Sequence, residues 1–190
     1  VEGMSNPLLE VPELEAAAEL QALSEANLDV RHNACFLGAG AYHHFIPSAV
    51  DAILRRSEFY TAYTPYQPEL AQGTLQALFE YQSLICNLTG MDVSNASHYD
   101  GATALAEAAI LALNHHRGKR HKILLSPAVH PHYRETLRTY MQGMDLQIVG
   151  DEEARARPAD LSRAIDSDTA MVAVQYPDFF GGIADYRALG

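Results

Sequence analysis

Basic residues are scarce in this chain. Thirteen Lys and Arg face twenty-four Asp and Glu over 190 residues, a formal net charge of −11 at pH 7. That balance argues against a nucleic-acid or anionic-membrane surface. Only two residues are lysine, Lys119 and Lys122, and both fall in the run His115-His116-Arg117-Gly118-Lys119-Arg120-His121-Lys122. Cysteine is equally rare. Cys35 and Cys86 sit in apolar contexts without metal or redox spacing, which reads as buried free thiols in a reducing cytoplasm. No apolar run approaches the roughly 20 residues of a membrane span. The opening Val1-Glu2-Gly3-Met4 has neither the basic nor the apolar region of a secretory signal. There is no repeat and no low-complexity tract.

What stands out against this background is Thr61-Ala62-Tyr63-Thr64-Pro65-Tyr66-Gln67-Pro68-Glu69. Each proline fixes its own φ and restricts the residue before it, so the segment is stiff and extended. A stiff segment presents side chains in fixed directions at little entropic cost. Tyr60, Tyr63, Tyr66 and Gln67 then offer ring faces and hydrogen-bonding tips at defined points, which suits a binding site. A proline-rich connector with tyrosines packed on a neighbouring surface is the competing reading.

The chain has two rhythms. Residues 1–67 read as an irregular arm, with a polar helix over about 12–27 and a second helix from Pro47 that turns Val50, Ile53 and Leu54 to one side. From 68 on, a longer helix over 69–88 carries Leu75, Leu78, Phe79, Ile85 and Cys86 as an apolar stripe and stops at Gly90. Beyond it strand and helix alternate. A short strand is expected near 93–97, then a helix capped by Asp100 with Leu105, Ala109 and Leu113 inward. Strand Ile123-Leu124-Leu125 follows, then a helix opened by Pro131 that carries Tyr133, Leu137, Tyr140 and Met141. The last elements are strand 146–149, a short helix over 159–166 and strand 171–175. Apolar strands separated by helices imply right-handed crossovers and a mostly parallel α/β sheet covered on both faces. The sheet is expected to be incomplete within these residues, with exposed apolar surface where further strands belong.

Several further blocks accompany the tyrosine segment. They are Phe36-Leu37-Gly38-Ala39-Gly40-Ala41-Tyr42-His43-His44, Gln72-Gly73-Thr74-Leu75-Gln76-Ala77, Thr89-Gly90-Met91-Asp92-Val93, and Tyr99-Asp100-Gly101-Ala102-Thr103-Ala104-Leu105-Ala106-Glu107. Val129-His130-Pro131 and Gln175-Tyr176-Pro177-Asp178-Phe179-Phe180-Gly181 complete the set. In this order and spacing, from about Pro7 to the last residue, the set closely resembles the first subunit of two-subunit glycine decarboxylase, the P-protein family of the glycine cleavage system. The resemblance implies the fold of the aspartate-aminotransferase-type (fold type I) pyridoxal phosphate (PLP) enzymes. It further implies an incomplete large domain, 68–190, behind a helical arm, 1–67, and a chain that is the front part of a protein more than twice as long.

Such a site needs a lysine for the Schiff base, an aspartate on the pyridine nitrogen, an aromatic or imidazole stacked on the ring, and a helix N-terminus for the phosphate. The two lysines lie in what reads as a solvated helix-to-strand turn at the far end of the sheet, whereas a Schiff base needs a sheltered amine. Asp100, Gly101 and Thr103 occupy the phosphate position. Gly101 suits an anion there, but the Asp100 carboxylate repels one, and a helix cap is the better reading. His130 occupies the ring-stacking position. A His130-x-His132 metal pair finds no further ligands in clear spacing, so no metal is expected. Gly38-Ala39-Gly40 with Glu58 about 20 residues on imitates a dinucleotide fingerprint. Its third glycine position is His43, and a tight turn explains it better.

The resemblance thus implies a subunit that has lost its own cofactor site. PLP would be held by the second subunit, and Tyr63, Tyr66 and Gln67 would complete the active site at the interface. Two such pairs would join as a heterotetramer in the cytoplasm. The implied reaction decarboxylates glycine on PLP and passes the remaining carbon to the lipoyl group of the H-protein. A non-catalytic scaffold or binding module of the same fold, or a fragment of another fold type I enzyme, is the alternative.

Overall fold

The computed structural model describes residues 11–189 apart from 37, 39–41 and 153–157. The Gly38-Ala39-Gly40 turn therefore lies largely outside the described residues. The chain divides into two compact units, Val1–His44 and Phe45–Gly190.

The first unit contains α1 (Glu13–Glu25), which begins behind Pro12 and buries none of its residues. Its alanines and glutamates give the helix good propensity, and its small apolar stripe, which includes Leu20 and Leu23, stays exposed. Cys35 is exposed, against the expectation of a buried thiol, because this unit has no described buried apolar residue to cover it. Cys86, in the second unit, is half-buried.

The second unit opens with α2 (Ser48–Leu54) and α3 (Ser57–Tyr60), then the tyrosine segment and α4 (Gln72–Thr89), which ends at Gly90. The strand expected near 93–97 does not form. Side chains there take the backbone groups a ladder needs: Gln82 donates to the Ser94 carbonyl (2.6 Å), and the Asn95 carboxamide accepts from the Ser97 N–H (3.0 Å). Ser97, at φ 116°, breaks the extended run.

From Asp100 on the expected alternation holds. The elements are α5 (Gly101–His115), β1 (Lys122–Leu125), α6 (Pro131–Met141), β2 (Gln147–Val149), α7 (Pro158–Arg163) and β3 (Thr169–Ala173). All pairings are parallel and the strand order is β2-β1-β3. Ile123 sits opposite Ile148 on one side and Met171 on the other. Since β1 leads first to one neighbour and then, through β2, to the other, right-handed crossovers place α6 and α7 on opposite faces.

Side chains bear this out. Ile123, Leu125 and Ala173 join Ala106, Ala109 and Leu113 of α5 and Leu137 and Met141 of α6 in one core. The small residues of α5, spaced three and four apart, let it lie close against α6 and the sheet. Leu124 points the other way, toward Leu161 of α7, with Gly150 wedged between them. Leu137 is fully buried, a burial that contributes about 1.5–3 kcal/mol. Phe79 and Tyr140 remain largely exposed although they belong to helix stripes.

Two ion-pair clusters pin the sheet. At the carboxyl end, Asp151 is 6% exposed and accepts from Arg134 and Arg138 of α6. At the amino end, Lys122 donates to Asp166 (2.6 Å) and to the Ala164 carbonyl (2.7 Å), and Arg120 donates to the Thr169 carbonyl (2.8 Å). Lys122 is thus only 12% exposed rather than solvated. Its aliphatic stem lies under the α7–β3 connection and its charge ties that connection to β1. Lys119 is exposed in the preceding turn.

Candidate functional site

Two places gather the residues that the sequence singles out. The first is a groove of about 490 Å³ before α4, lined by Glu58, Ala62, Tyr63, Thr64, Pro65, Tyr66, Gln67, Leu70, Ala71 and Thr74. Thr61 closes α3 by donating its N–H to the Ser57 carbonyl, and Leu70 and Ala71 both donate to the Gln67 carbonyl. Between these two turns the prolines keep the chain extended. Tyr63, Tyr66 and Gln67 therefore come to one wall. The Tyr63 and Tyr66 rings lie 6.2 Å apart at 53°, and both are highly exposed, at 82% and 77%. Among the described residues neither hydroxyl is consumed by a hydrogen bond within the chain. Glu58 adds a carboxylate that the Arg56 guanidinium, 2.7 Å away, holds below the ordinary range. Sequence reasoning weighed Glu58 only as part of a dinucleotide motif and missed Leu70 and Thr74. Their spacing across the turn into α4 was the available signal.

The second place is the crevice at the carboxyl ends of β1 and β3, where the strand order reverses and α/β sheets carry their ligands. Two loops zip together here. Phe179 donates its N–H to the Ala128 carbonyl (2.9 Å), and His130 donates its N–H to the Gln175 side chain (2.9 Å). Asp178 folds the second loop by accepting from the Phe180 and Gly182 N–H groups.

The His130 ring is enclosed by aromatics, with Phe179 edge-on at 4.9 Å and Tyr133 tilted at 5.2 Å. Its Nδ1 accepts the His132 N–H (3.2 Å) and so caps α6, with Pro131 in the first turn. Tyr133 in turn lies over the start of α5. A Cβ on Gly101 would collide with the Tyr133 hydroxyl and ring, whose Cζ is 2.7 Å from that position. Asp100 caps α5, accepting from the Thr103 N–H (2.7 Å) and the Thr103 hydroxyl (2.9 Å).

All four residues expected around a degenerate pocket, Asp100, Gly101, Thr103 and His130, therefore stand at this end, with Tyr133 bridging Gly101 and His130. Tyr133 and Phe179 were not foreseen as its filling, although Phe179 lay in the last of the motif blocks and Tyr133 in the helix opened by Pro131. The lysines lie at the opposite end. Among the described residues no group of three or more His, Cys, Asp or Glu is placed to hold a metal ion. No described helix is long and apolar enough to cross a membrane.

The Asp100 cap has a testable pH signature. The Thr103 N–H, and then its hydroxyl, hold the Asp100 carboxyl below the ordinary carboxylate range. A carboxyl depressed in the folded state contributes stability that is complete above its unfolded pKa and is lost as pH falls through the folded one. Asp100→Ala therefore melts below the parent at neutral pH, and the gap closes below about pH 4. Parallel circular-dichroism melts from neutral to acid pH check this; a gap that stays constant into acid shows that the carboxylate is not the cap.

Comparison with known proteins places this geometry. Residues 3–190 match the family described as glycine cleavage system P-protein. A protein of Thermomicrobium roseum described as probable glycine dehydrogenase (decarboxylating) subunit 1 is 53% identical over 186 residues, which are 94% of this chain and 41% of that protein. The protein of the same description from Desulforamulus reducens is 54% identical over 175 residues, covering 91% and 39%. A crystal structure of glycine decarboxylase (P-protein) of the glycine cleavage system, in inhibitor-bound form, superposes with a TM-score of 0.77 at 38% identity, over 96% of this chain and 42% of that one. The chain thus spans about two-fifths of the length of these relatives. Together with the parallel sheet covered on both faces, the likeness bears out the fold type I α/β class.

Proposed function

Because the chain belongs to the glycine cleavage system P-protein family, we propose that it serves within subunit 1 of glycine decarboxylase. Its part is to build the active site from the side that carries no cofactor lysine. The observation that carries this reading is the match of more than nine-tenths of the chain, at over half identity, to proteins described as subunit 1. A numbered subunit implies a second one.

PLP, when bound in the assembly, supplies an electron sink for the carbon left after loss of CO2. The residues of this chain do not fit that group. Tyr133 lies over the α5 N-terminus where a phosphate would seat, and the Asp100 carboxylate takes the Thr103 N–H and would repel an anion. His130 is already packed by Tyr133 and Phe179. Lys122 is held by Asp166 at the other end of the sheet. These features support the proposal that the second subunit holds PLP.

What this chain adds is the groove. Tyr63 and Tyr66 present hydroxyls, and Gln67 a carboxamide, on a backbone stiffened by Pro65 and Pro68. Aimed at the second subunit's site, they orient the substrate carboxylate or the cofactor phosphate by directed hydrogen bonds. The whole assembly, a heterotetramer of two such pairs in the cytoplasm, then delivers the carbon to the lipoyl H-protein.

The test is reconstitution of the full-length subunit with the second subunit. Glycine-dependent exchange of radiolabelled bicarbonate is expected only on mixing. Borohydride treatment of the full-length subunit alone with PLP should leave Lys119 and Lys122 unlabelled. Stoichiometric labelling of either lysine, competed by glycine, overturns the assignment; so does failure of the mixture to exchange.

A further inference from the structure

We draw no further inference here: the strongest candidate, the exposed apolar stripe of α4 that carries Leu84 and Leu88, is a helix face left unpartnered among the described residues, and nothing in the structure shows what covers it.

Discussion

Tyr63→Phe and Tyr66→Phe, made separately in the full-length assembly, are each expected to cut glycine-dependent CO2 exchange by roughly 10- to 150-fold while leaving subunit assembly intact. The separation is geometric. Phenylalanine keeps the ring that packs an interface and removes only the hydroxyl. The two rings meet each other at a tilt, and among the described residues neither hydroxyl is spent within the chain. A hydroxyl directed at a charged group contributes about 1.5–3 kcal/mol, and that figure converts to the stated loss. A tyrosine that merely packs gives the opposite pattern: little kinetic effect, or a loss of activity in step with a loss of assembly. Exchange assays and sedimentation on the same preparations separate the two. Near-parental exchange in both variants reduces the segment to a connector.

Gly150→Ala is expected to cost about 3 kcal/mol of folding stability, read as a lower urea midpoint at an unchanged slope. Two penalties coincide. The residue sits at φ 101°, a region a side chain enters only with strain of about 1–3 kcal/mol. A Cβ there would also lie 2.7 Å from Leu124 Cδ1 and 3.0 Å from the Leu125 carbonyl oxygen. The leucine tip can shift, but the carbonyl belongs to the central strand and cannot, so overpacking of about 1–3 kcal/mol follows. The same turn carries Asp151, clamped by two arginines of α6, and the Gly150 N–H donates to Glu152 (2.8 Å). A loss below about 0.5 kcal/mol would show that the turn relaxes freely.

The sequence made the alternating half of the molecule readable because each of its elements carries its own punctuation. Asp100 and Pro131 mark helix starts, and the Ile123-Leu124-Leu125 run suits a strand buried on both faces. All three signals are local and act within one turn or one strand. The expected strand near 93–97 failed for a non-local reason. Its polar residues satisfied the backbone through Gln82, a residue on the preceding helix, and no periodicity reports that. Lys122 was misread in the same way, since its ion pair reaches more than forty positions along the chain to Asp166. The groove residues were legible because two prolines stiffen a short stretch. Tyr133 and Phe179 were not, because their roles arise only when the start of α5 and the segments that follow β1 and β3 meet at one end of the sheet.

The packing of Tyr133 and Phe179 around His130 has a consequence for redesign. A ligand could not be admitted here by changing one side chain alone. The Tyr133 phenol now supports the start of one helix, and the His130 imidazole caps another. Phe179 is stitched by its backbone to the loop before His130. Clearing the space would mean giving up contacts that hold the crevice together. Any redesign of this crevice must therefore exchange these side chains together rather than one at a time, because their contacts are shared.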